Sequence, residues 1–323
     1  MLAYLIATLG HDMTATQHVS VMTNEVIELI GPTAGGRYID ATAGGGGHSE
    51  ALLSAISPTG DDVLPSLLSL DADHKAVERV RTRLEPFGDH VVVVHSNFRD
   101  LQAVAEAQQF TQVDGIVFDL GFSSDQLHDV ERGFSMTASG SLDMRFDTSQ
   151  SVTAASLINN LDEKDLADVI YEYGEERKSR RIARSIVNHR PIDTAQELAD
   201  LIARSVGRRE KIHPATRTFQ ALRIAVNREL DSLSEVLPQA VSLLRPGGRL
   251  VVISFHSLED RIVKQFLQTE ARDCICPPET LICQCGHKAS VRILTRRPLQ
   301  PSVGEVATNS RSRSAKLRAA EKL

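Results

Sequence analysis

The first 120 residues alternate between short apolar runs and segments with helical periodicity. The runs at 38–41, 67–70, 91–94 and 113–119 have the uninterrupted, β-branched character of buried strands, and residues 75–84 have a helical pattern. Strands that alternate with helices favour a parallel sheet with helices on both faces. The pattern therefore predicts an α/β fold for this part of the chain.

The alternation stops between about residues 127 and 227, where the pattern is helical. Thr194 and Glu197 have the spacing of a capping box, and the apolar residues after them recur at helical intervals. A strand at 250–255 and a helix at 258–266 then resume the earlier rhythm. An inserted helical segment is the interpretation that fits this order.

The insertion divides the predicted α/β unit into two parts. We expect residues 1–126 to form its first part, residues 127–228 an all-helical substrate-binding domain, and residues 229–323 its second part with a basic C-terminal tail. The strands at 113–119 and 250–255 are then expected to be neighbours in space. The insert would lie over the C-terminal edge of the sheet, where ligands bind in folds of this type.

Charge is distributed unevenly along the chain. The 323 residues have a net formal charge of −6, which argues against a protein that coats nucleic acid uniformly. Basic residues nevertheless concentrate between Arg177 and Arg228 and again from Lys288 onward. Two such patches predict a polyanion-binding surface of limited extent, and solvated helix faces are the alternative.

Hydropathy gives no sign of a membrane segment. No apolar run has the length that a bilayer requires, and the apolar residues 2–9 lack a preceding basic segment and are followed at once by Gly10, His11 and Asp12. We therefore expect a cytoplasmic protein without a membrane partner.

A glycine turn points to a nucleoside cofactor. Residues 44–47 are all glycine and follow the first predicted strand, and Asp71 ends the second. Glycines allow close approach of the main chain, and a carboxylate at that place can accept both hydroxyls of a ribose. Counted from Gly44, the sixth position is Ser49, so the dinucleotide fingerprint fails, and the phosphate-loop pattern fails as well.

S-adenosylmethionine fits this turn best, because it has no phosphate and its sulfonium favours nearby carboxylates. A flexible glycine loop without a ligand is the alternative.

The strand predicted at 113–119 ends in Asp119, and a loop with Phe122 follows. Many methyltransferases that act on exocyclic amines have an acidic or amide group and an aromatic residue at this place. The amine lone pair is delocalised into its ring, and acceptors for its N–H groups help to rehybridise the nitrogen toward the methyl group. Asp119 is therefore our candidate catalytic residue, and a simple turn cap is the alternative.

Nine sequence strings, in order along nearly the whole chain, resemble one known family. They are HVSVMTNE (18–25), DATAGGGGH (40–48), DLGFSSDQ (119–126), ERGFS (131–135), LDMR (142–145), YGEER (173–177), HPATRTFQ (213–220), SFHSLEDR (254–261) and NSRSRS (309–314). The chain resembles the bacterial 16S rRNA (cytosine-N4)-methyltransferases of the RsmH (MraW) family. The glycine turn alone is a weak signal, but the ordered set is specific.

The resemblance implies a Rossmann-like class I fold, dependent on S-adenosylmethionine (SAM), with an inserted all-helical domain. It implies N4-methylation of a cytidine in the decoding centre of 16S rRNA, with that RNA in the small ribosomal subunit as the partner. The cofactor contacts that it implies are Gly46, Gly47, His48, Asp71, Phe98, Asp119 and Gln126. Phe98 is expected to cover the adenine, Gln126 to bond the methionine end, and His48 to act through its main-chain N–H.

Two positions depart from the family pattern, and both concern pocket shape. His128 stands where the family more often has Asp, and Phe122 where a smaller aliphatic residue is expected. A set of polar residues at helical spacing is expected to face the substrate, with a purely structural helix as the alternative. This set comprises Arg217, Gln220, Arg223 and Asn227. His256 and Ser257 are expected at the same cleft.

Four cysteines lie close together near the end of the chain. Cys274, Cys276, Cys283 and Cys285 form two C-x-C pairs, with His287 close behind. Structural zinc would explain the cluster, but C-x-C is not the usual knuckle spacing, and four free thiols are the alternative. We assign no metal ligands from the sequence.

Two rival functions remain open at this point. One is an RNA-binding or assembly factor that keeps the fold without catalysis, and the other is an enzyme of the same chemistry that acts on amines of DNA bases. The sequence also leaves open whether the chain acts alone or as a homodimer.

Overall fold

A computed structural model describes residues 20–55, 64–207, 212–280 and 282–323. The strands are β1 (Arg37–Asp40), β2 (Ser66–Asp71), β3 (Val91–His95), β4 (Val113–Asp119), β5 (Leu244–Ser254), β6 (Val291–Ile293) and β7 (Lys316–Lys322). The helices are α1 (Thr23–Ile30), α2 (Gly47–Ser54), α3 (His74–Leu84), α4 (Leu101–Ala107), α5 (Ser124–His128), α6 (Ala154–Asn160), α7 (Glu163–Gly174), α8 (Ser179–Val187), α9 (Ala195–Val206), α10 (Thr216–Asn227), α11 (Glu229–Leu243), α12 (Ser257–Glu270) and α13 (Val303–Thr308).

The strands form one seven-stranded sheet in the order β3-β2-β1-β4-β5-β7-β6. Strands β1 to β5 pair in parallel, and β7 runs antiparallel between β5 and β6. The central strands are buried on both faces, which explains their continuous apolar runs. The order reverses between β1 and β4, and this switch point is where ligands bind in such sheets.

Helices cover both faces of the sheet and build a core on each side. Residues of α4, α11 and α12 pack on one face, with Leu101, Leu237 and Val263 almost fully buried. Residues of α1, α2 and α3 pack on the other face. The result is a three-layer α/β arrangement.

Between β4 and β5, the described residues form helices and loops and no strand, apart from one isolated bridge between Ser141 and Thr194. A third apolar cluster lies entirely within residues 134–226, separate from the two that flank the sheet. Thr194 and Glu197 form the expected capping box: Thr194 Oγ1 accepts the Glu197 N–H at 3.2 Å, and the Glu197 carboxylate accepts the Thr194 N–H at 3.2 Å.

The predicted neighbours β4 and β5 do pair, although β5 begins earlier than the sequence suggested. Val113 pairs with Leu244 and Gly115 with Arg249, so residues 245–248 bulge out of the ladder. Gly247 in this bulge has φ 81°, a conformation that favours glycine. The residues just before the predicted strand therefore form a bulge within β5.

The C-terminal segment forms strand β7, which differs from the basic tail that we expected. Arg318 and Lys316 are paired with Asp260 of α12 at 2.6 and 3.2 Å, and Arg292 of β6 is paired with Glu321 at 2.7 Å. These ion pairs take up charges that a free tail would present to a polyanion.

No helix among the described residues combines the length and apolar character needed to cross a bilayer. Residues 2–9, with His18 and Val19, lie outside the described part, as do Arg208, Arg209 and Lys211 of the basic segment.

Candidate functional site

A cleft lies at the sheet edge where β1, β2 and β4 end in Asp40, Asp71 and Asp119. Parallel strands bring these three carboxylates together because their carboxyl ends share one edge. The cofactor residues from the sequence that line this cleft are His48, Asp71, Phe98, Asp119 and Gln126.

The first half of the glycine turn faces the cleft. Gly44 and Gly45 line it, whereas Gly46 is the N-cap of α2 and Gly47 begins that helix. A Cβ on Gly47 would lie 2.0 Å from Ser20 Oγ, so this glycine permits close packing at the start of the helix. Gly44 and Gly45 thus line the cleft, and the expected cofactor contacts of Gly46 and Gly47 stay a prediction.

The Asp71 carboxylate is held by two backbone donors. Its Oδ2 accepts the Gly44 N–H at 2.7 Å, and its Oδ1 accepts the Asp73 N–H at 2.8 Å. Burial raises the pKa of Asp71 to about 6, although both hydrogen bonds favour the ionised form. Each oxygen can accept a further hydrogen bond, so the pair is suited to the two hydroxyls of a ribose.

Phe98 and Ala76 give the cleft an apolar wall. The Phe98 ring meets Phe118 of β4 edge to face, with 5.9 Å between ring centroids, and this contact fixes its orientation. A flat, uncharged ring such as adenine is the kind of group that this wall can cover.

Asp40, His48 and Asp119 form a buried charged cluster at the base of the cleft. His48 Nε2 lies 3.4 Å from Asp119 Oδ2. Burial opposes protonation of His48, but the carboxylates of Asp119 and Asp40 outweigh it and raise the pKa of His48. Burial raises the pKa of Asp40, which accepts a hydrogen bond from Ser49 Oγ at 2.6 Å.

Some buried polar atoms of this cluster have no hydrogen-bond partner. Within the described part of the chain, these include both ring nitrogens of His48 and Oδ1 of Asp119. An unpaired buried acceptor costs about 1–3 kcal/mol, so such atoms point to a ligand that satisfies them. The cleft thus combines unpaired buried polar atoms, the Asp71 oxygens that can accept ribose hydroxyls, and the main chain at Gly44. This combination fits a cationic nucleoside cofactor.

The Gln126 amide is used within the protein. Its Nε2 donates to Asp73 Oδ2 at 2.9 Å, and its Oε1 accepts the Ser123 N–H at 2.8 Å in the capping box of α5. Asp73 is also paired with Arg132 at 3.0 Å, and both side chains are almost fully buried. Gln126 therefore lines the cleft but mainly positions α5, and a bond to the methionine end stays a prediction.

A stack of three phenylalanines borders the cleft beyond Asp119. Phe122 and Phe134 are stacked with centroids 5.4 Å apart, and Phe134 and Phe146 with centroids 5.7 Å apart. Phe122 is 38% exposed, and the Arg223 guanidinium lies 5.1 Å from its ring centroid. The exposed ring offers a surface on which a flat base can stack.

Arg223, which lies over the Phe122 ring, belongs to a second buried charged network. Arg223 makes a two-pronged pair with Glu229 at 2.8 and 2.9 Å, and His256 Nε2 lies 3.2 Å from Glu259. Burial raises the pKa of Glu259, but His256 and Arg223 outweigh it and leave that pKa lowered. Glu229 and Glu259 line the cleft, whereas Ser257 Oγ donates to Glu175 at 2.6 Å.

Polar side chains of α10 make hydrogen bonds within the inserted helical segment. Gln220 Nε2 donates to the Tyr173 carbonyl at 3.0 Å. Asn227 accepts the Phe146 N–H at 2.7 Å and donates to the Met144 carbonyl at 2.7 Å. The amides of Gln220 and Asn227 are thus bonded to the main chain, and the expectation that the set faces the substrate stays a prediction.

Several cleft residues were not selected from the sequence. Phe146, Glu229 and Glu259 line the cleft, and Arg132 anchors it through Asp73. Arg132 and Glu259 lie inside the strings ERGFS and SFHSLEDR, so the resemblance contained a signal for them. Phe146 directly follows the string LDMR, whereas Glu229 lies between two strings and next to neither.

The sheet order with the antiparallel strand β7 between β5 and β6, the glycine turn after β1 and the acidic end of β2 define a class I SAM-dependent methyltransferase. Residues 15–323 match the family described as the MraW methylase family, and the chain belongs to it. The family, the fold class and SAM as methyl donor, all expected from the sequence, are confirmed.

Curated relatives resemble the chain over nearly its whole length. A protein named ribosomal RNA small subunit methyltransferase H from Thermomicrobium roseum is 52% identical over 316 residues, which cover 97% of this chain and 95% of the relative. One of the same name from Dehalococcoides mccartyi is 52% identical over 312 residues, covering 96% and 88%. Among solved structures, an rRNA methylase from Streptococcus thermophilus aligns with a TM-score of 0.42 and 10% identity, covering 93% of each chain.

Proposed function

We propose that this enzyme transfers a methyl group from SAM to N4 of a cytidine in the decoding centre of 16S rRNA. The relatives that share about half of its residues are named as methyltransferases of small-subunit ribosomal RNA, which supports the RNA substrate. The observation that carries the proposal is the buried, unpartnered Oδ1 of Asp119, at the end of β4 and beside the exposed Phe122 ring.

Different residues of the cleft would bind different parts of the cofactor. Asp71 would accept the ribose hydroxyls, Phe98 would cover the adenine, and the carboxylates near Gly44 would attract the sulfonium. When bound there, SAM supplies an electrophilic methyl group.

The Asp119 carboxylate can bind and activate an exocyclic amine. Its Oδ1 accepts an N–H of the amine, which draws the nitrogen lone pair out of conjugation with the ring and toward the methyl group. The same oxygen takes the proton that methylation releases. His48 Nε2 lies 3.4 Å from the other carboxylate oxygen, and the carboxylates of Asp119 and Asp40 raise the pKa of His48. Orientation supplies most of the acceleration, because N4 needs no covalent activation.

The target base must leave its stack to reach Asp119. Phe122, supported from behind by Phe134 and flanked by Arg223, would stack on the unstacked cytosine and bring its amine to the carboxylate. The energy of this stacking would offset part of the cost of extruding the base.

We further propose residues 127–228 as the domain that holds the RNA. Its apolar cluster is separate from those of the sheet, and helix α8 begins among exposed basic residues. The basic residues in and before this helix are Arg177, Lys178, Arg180, Arg181 and Arg184. Such residues bind phosphates in any sequence, so the surrounding RNA structure would select the site. A substrate in the small ribosomal subunit implies a cytoplasmic enzyme.

The test uses tritiated SAM with three substrates: small ribosomal subunits from cells that lack the enzyme, naked 16S rRNA, and duplex DNA. We expect label in 16S rRNA, and nucleoside mass spectrometry should identify it as N4-methylcytidine. Label in DNA alone would refute the RNA substrate. RNA binding without label, by protein that binds SAM, would favour an assembly factor.

A further inference from the structure

The loop between α12 and β6 has almost no apolar support of its own. In its described part, residues 272–280 and 282–290 form neither helix nor strand, and most are exposed. Ile275 is 45% exposed and Ile282 is 77% exposed. A loop of this length without a core needs another source of order.

The four cysteines of the chain converge in this loop. The Sγ atoms of Cys274, Cys276, Cys283 and Cys285 all lie within 4.8 Å of one another. Cys274 Sγ is 3.4 Å from Cys283 Sγ and 3.8 Å from Cys285 Sγ, and the last two are 3.6 Å apart. Four sulfurs on a tetrahedral zinc with bonds of about 2.3 Å would be about 3.8 Å apart.

The backbone around the cysteines is arranged to support thiolates. The Ile275 N–H donates to Cys285 Sγ at 3.4 Å, and the Gln284 N–H donates to Cys276 Sγ at 3.4 Å. The middle residue of each C-x-C pair thus donates to the second cysteine of the other pair. Donors aimed at sulfur stabilise negative charge there, as the outer hydrogen bonds of metal sites do.

Disulfides and iron–sulfur clusters fit the geometry of these cysteines less well than zinc does. A disulfide needs its sulfurs about 2.05 Å apart, and the separations of 3.4, 3.6 and 3.8 Å among Cys274, Cys283 and Cys285 are longer. Iron–sulfur clusters with several irons place inorganic sulfide between the cysteines and need wider spacing. His287 is not a fifth ligand, because its Nε2 lies 3.2 Å from the Thr269 carbonyl at the end of α12.

We propose that Cys274, Cys276, Cys283 and Cys285 bind one structural zinc ion that closes the loop between α12 and β6. The thiols lose their protons to solvent as the four sulfur–zinc bonds form, and no oxidation occurs. With four protein ligands the site is closed, so it holds no water for chemistry. Zinc would join the end of α12 to the edge of the sheet.

The test begins with the full-length protein, purified under reducing conditions without a metal-affinity tag. Elemental analysis should find about one zinc per chain. After removal of the metal, cobalt(II) should restore the intense visible absorption of a tetrahedral tetrathiolate site, and zinc should displace it. Metal-free protein that takes up neither ion would refute the site, and a stoichiometric iron content would refute zinc as its occupant.

Two variants test the ligand set. Cys285→Ser should lower zinc content at least several-fold and shift the charge-transfer absorption of the cobalt form. His287→Ala, which changes a neighbouring residue outside the set, should keep the zinc and the cobalt spectrum. Loss of zinc in His287→Ala, with unchanged content in Cys285→Ser, would overturn the assignment. Both measurements read the metal directly, so they do not depend on the proposed function.

Discussion

Asp71 and Gly44 are joined by a 2.7 Å hydrogen bond from the glycine N–H to the carboxylate. This contact couples the glycine turn to the end of β2, so the same carboxylate that would hold the ribose also fixes the main chain beside it. The coupling explains why a glycine turn and an acidic residue 27 positions later belong to one site.

Cofactor affinity should depend on pH through Asp71. Its pKa of about 6 lies above the ordinary value, so the carboxylate is ionised at pH 7.5 and protonated at pH 5. Since the ionised form accepts both ribose hydroxyls, the dissociation constant of SAM should rise about ten-fold from pH 7.5 to pH 5. Isothermal calorimetry measures this directly.

Asp71→Asn should weaken SAM binding at pH 7.5 by about 10- to 100-fold and flatten the pH dependence. Asp129→Asn is the matched control, because Asp129 is paired with Lys75 outside the cleft and its pKa is lowered. An Asp71→Asn variant that binds as tightly as the parent, with the same pH profile, would contradict this role.

Asp119→Asn should separate chemistry from cofactor binding. The amide keeps the size of the side chain but cannot take the proton, so we expect kcat to fall about 10²- to 10⁴-fold while the dissociation constant of SAM changes only a few-fold. Single-turnover methyl transfer and calorimetry provide the two readouts. A variant with more than a tenth of the parent rate would show that Asp119 only shapes the turn.

Phe122→Leu should weaken RNA binding without affecting SAM. Loss of one stacked base costs about 1–3 kcal/mol, so KM for the ribosomal substrate should rise about 5- to 150-fold. Phe122→Tyr keeps the ring and should retain the parent KM. If the leucine and tyrosine variants behave alike, the exposed ring does not stack on the base.

The buried ion pair between Arg132 and Asp73 should contribute to the stability of the fold. Arg132→Met leaves Asp73 buried without its counter-charge and removes the donors to the Arg145 and Phe146 carbonyls, so we expect a loss of about 3–5 kcal/mol. Urea denaturation measures this loss. Adding Asp73→Asn to the same chain should recover part of it, and a double variant less stable than Arg132→Met would argue against charge as the cause.

Sequence patterns predicted the parallel part of the sheet well. Strand β4 was predicted with both ends in place, because residues 113–119 are nearly all apolar and buried. Strand β7 was not predicted, because its charged residues resemble a solvated tail. Their partners, such as Asp260 for Arg318, are distant in the chain and cannot be inferred from spacing.

The positions of site residues could be predicted where sheet topology alone sets them, and they could not be predicted where a contact depends on the path of a loop. Asp71 and Asp119 are the last residues of parallel strands, so topology alone places them at the shared edge of the sheet. The stack of Phe122, Phe134 and Phe146 needs three loop segments to meet. For the same reason the sequence did not reveal that the Gln126 amide is hydrogen-bonded to Asp73 and Ser123.

The pairing of β4 with β5 across the long helical insertion has a consequence for folding during synthesis. Until β5 has been made, the inner edge of β4 has no neighbour and its apolar faces are only partly covered. Residues 134–226 have an apolar cluster of their own, so they can collapse first and bring the two strands within reach of each other. The folded insertion would then speed the pairing of β4 with β5. Mutations in its apolar cluster would slow folding of the enzyme as well as weaken substrate binding.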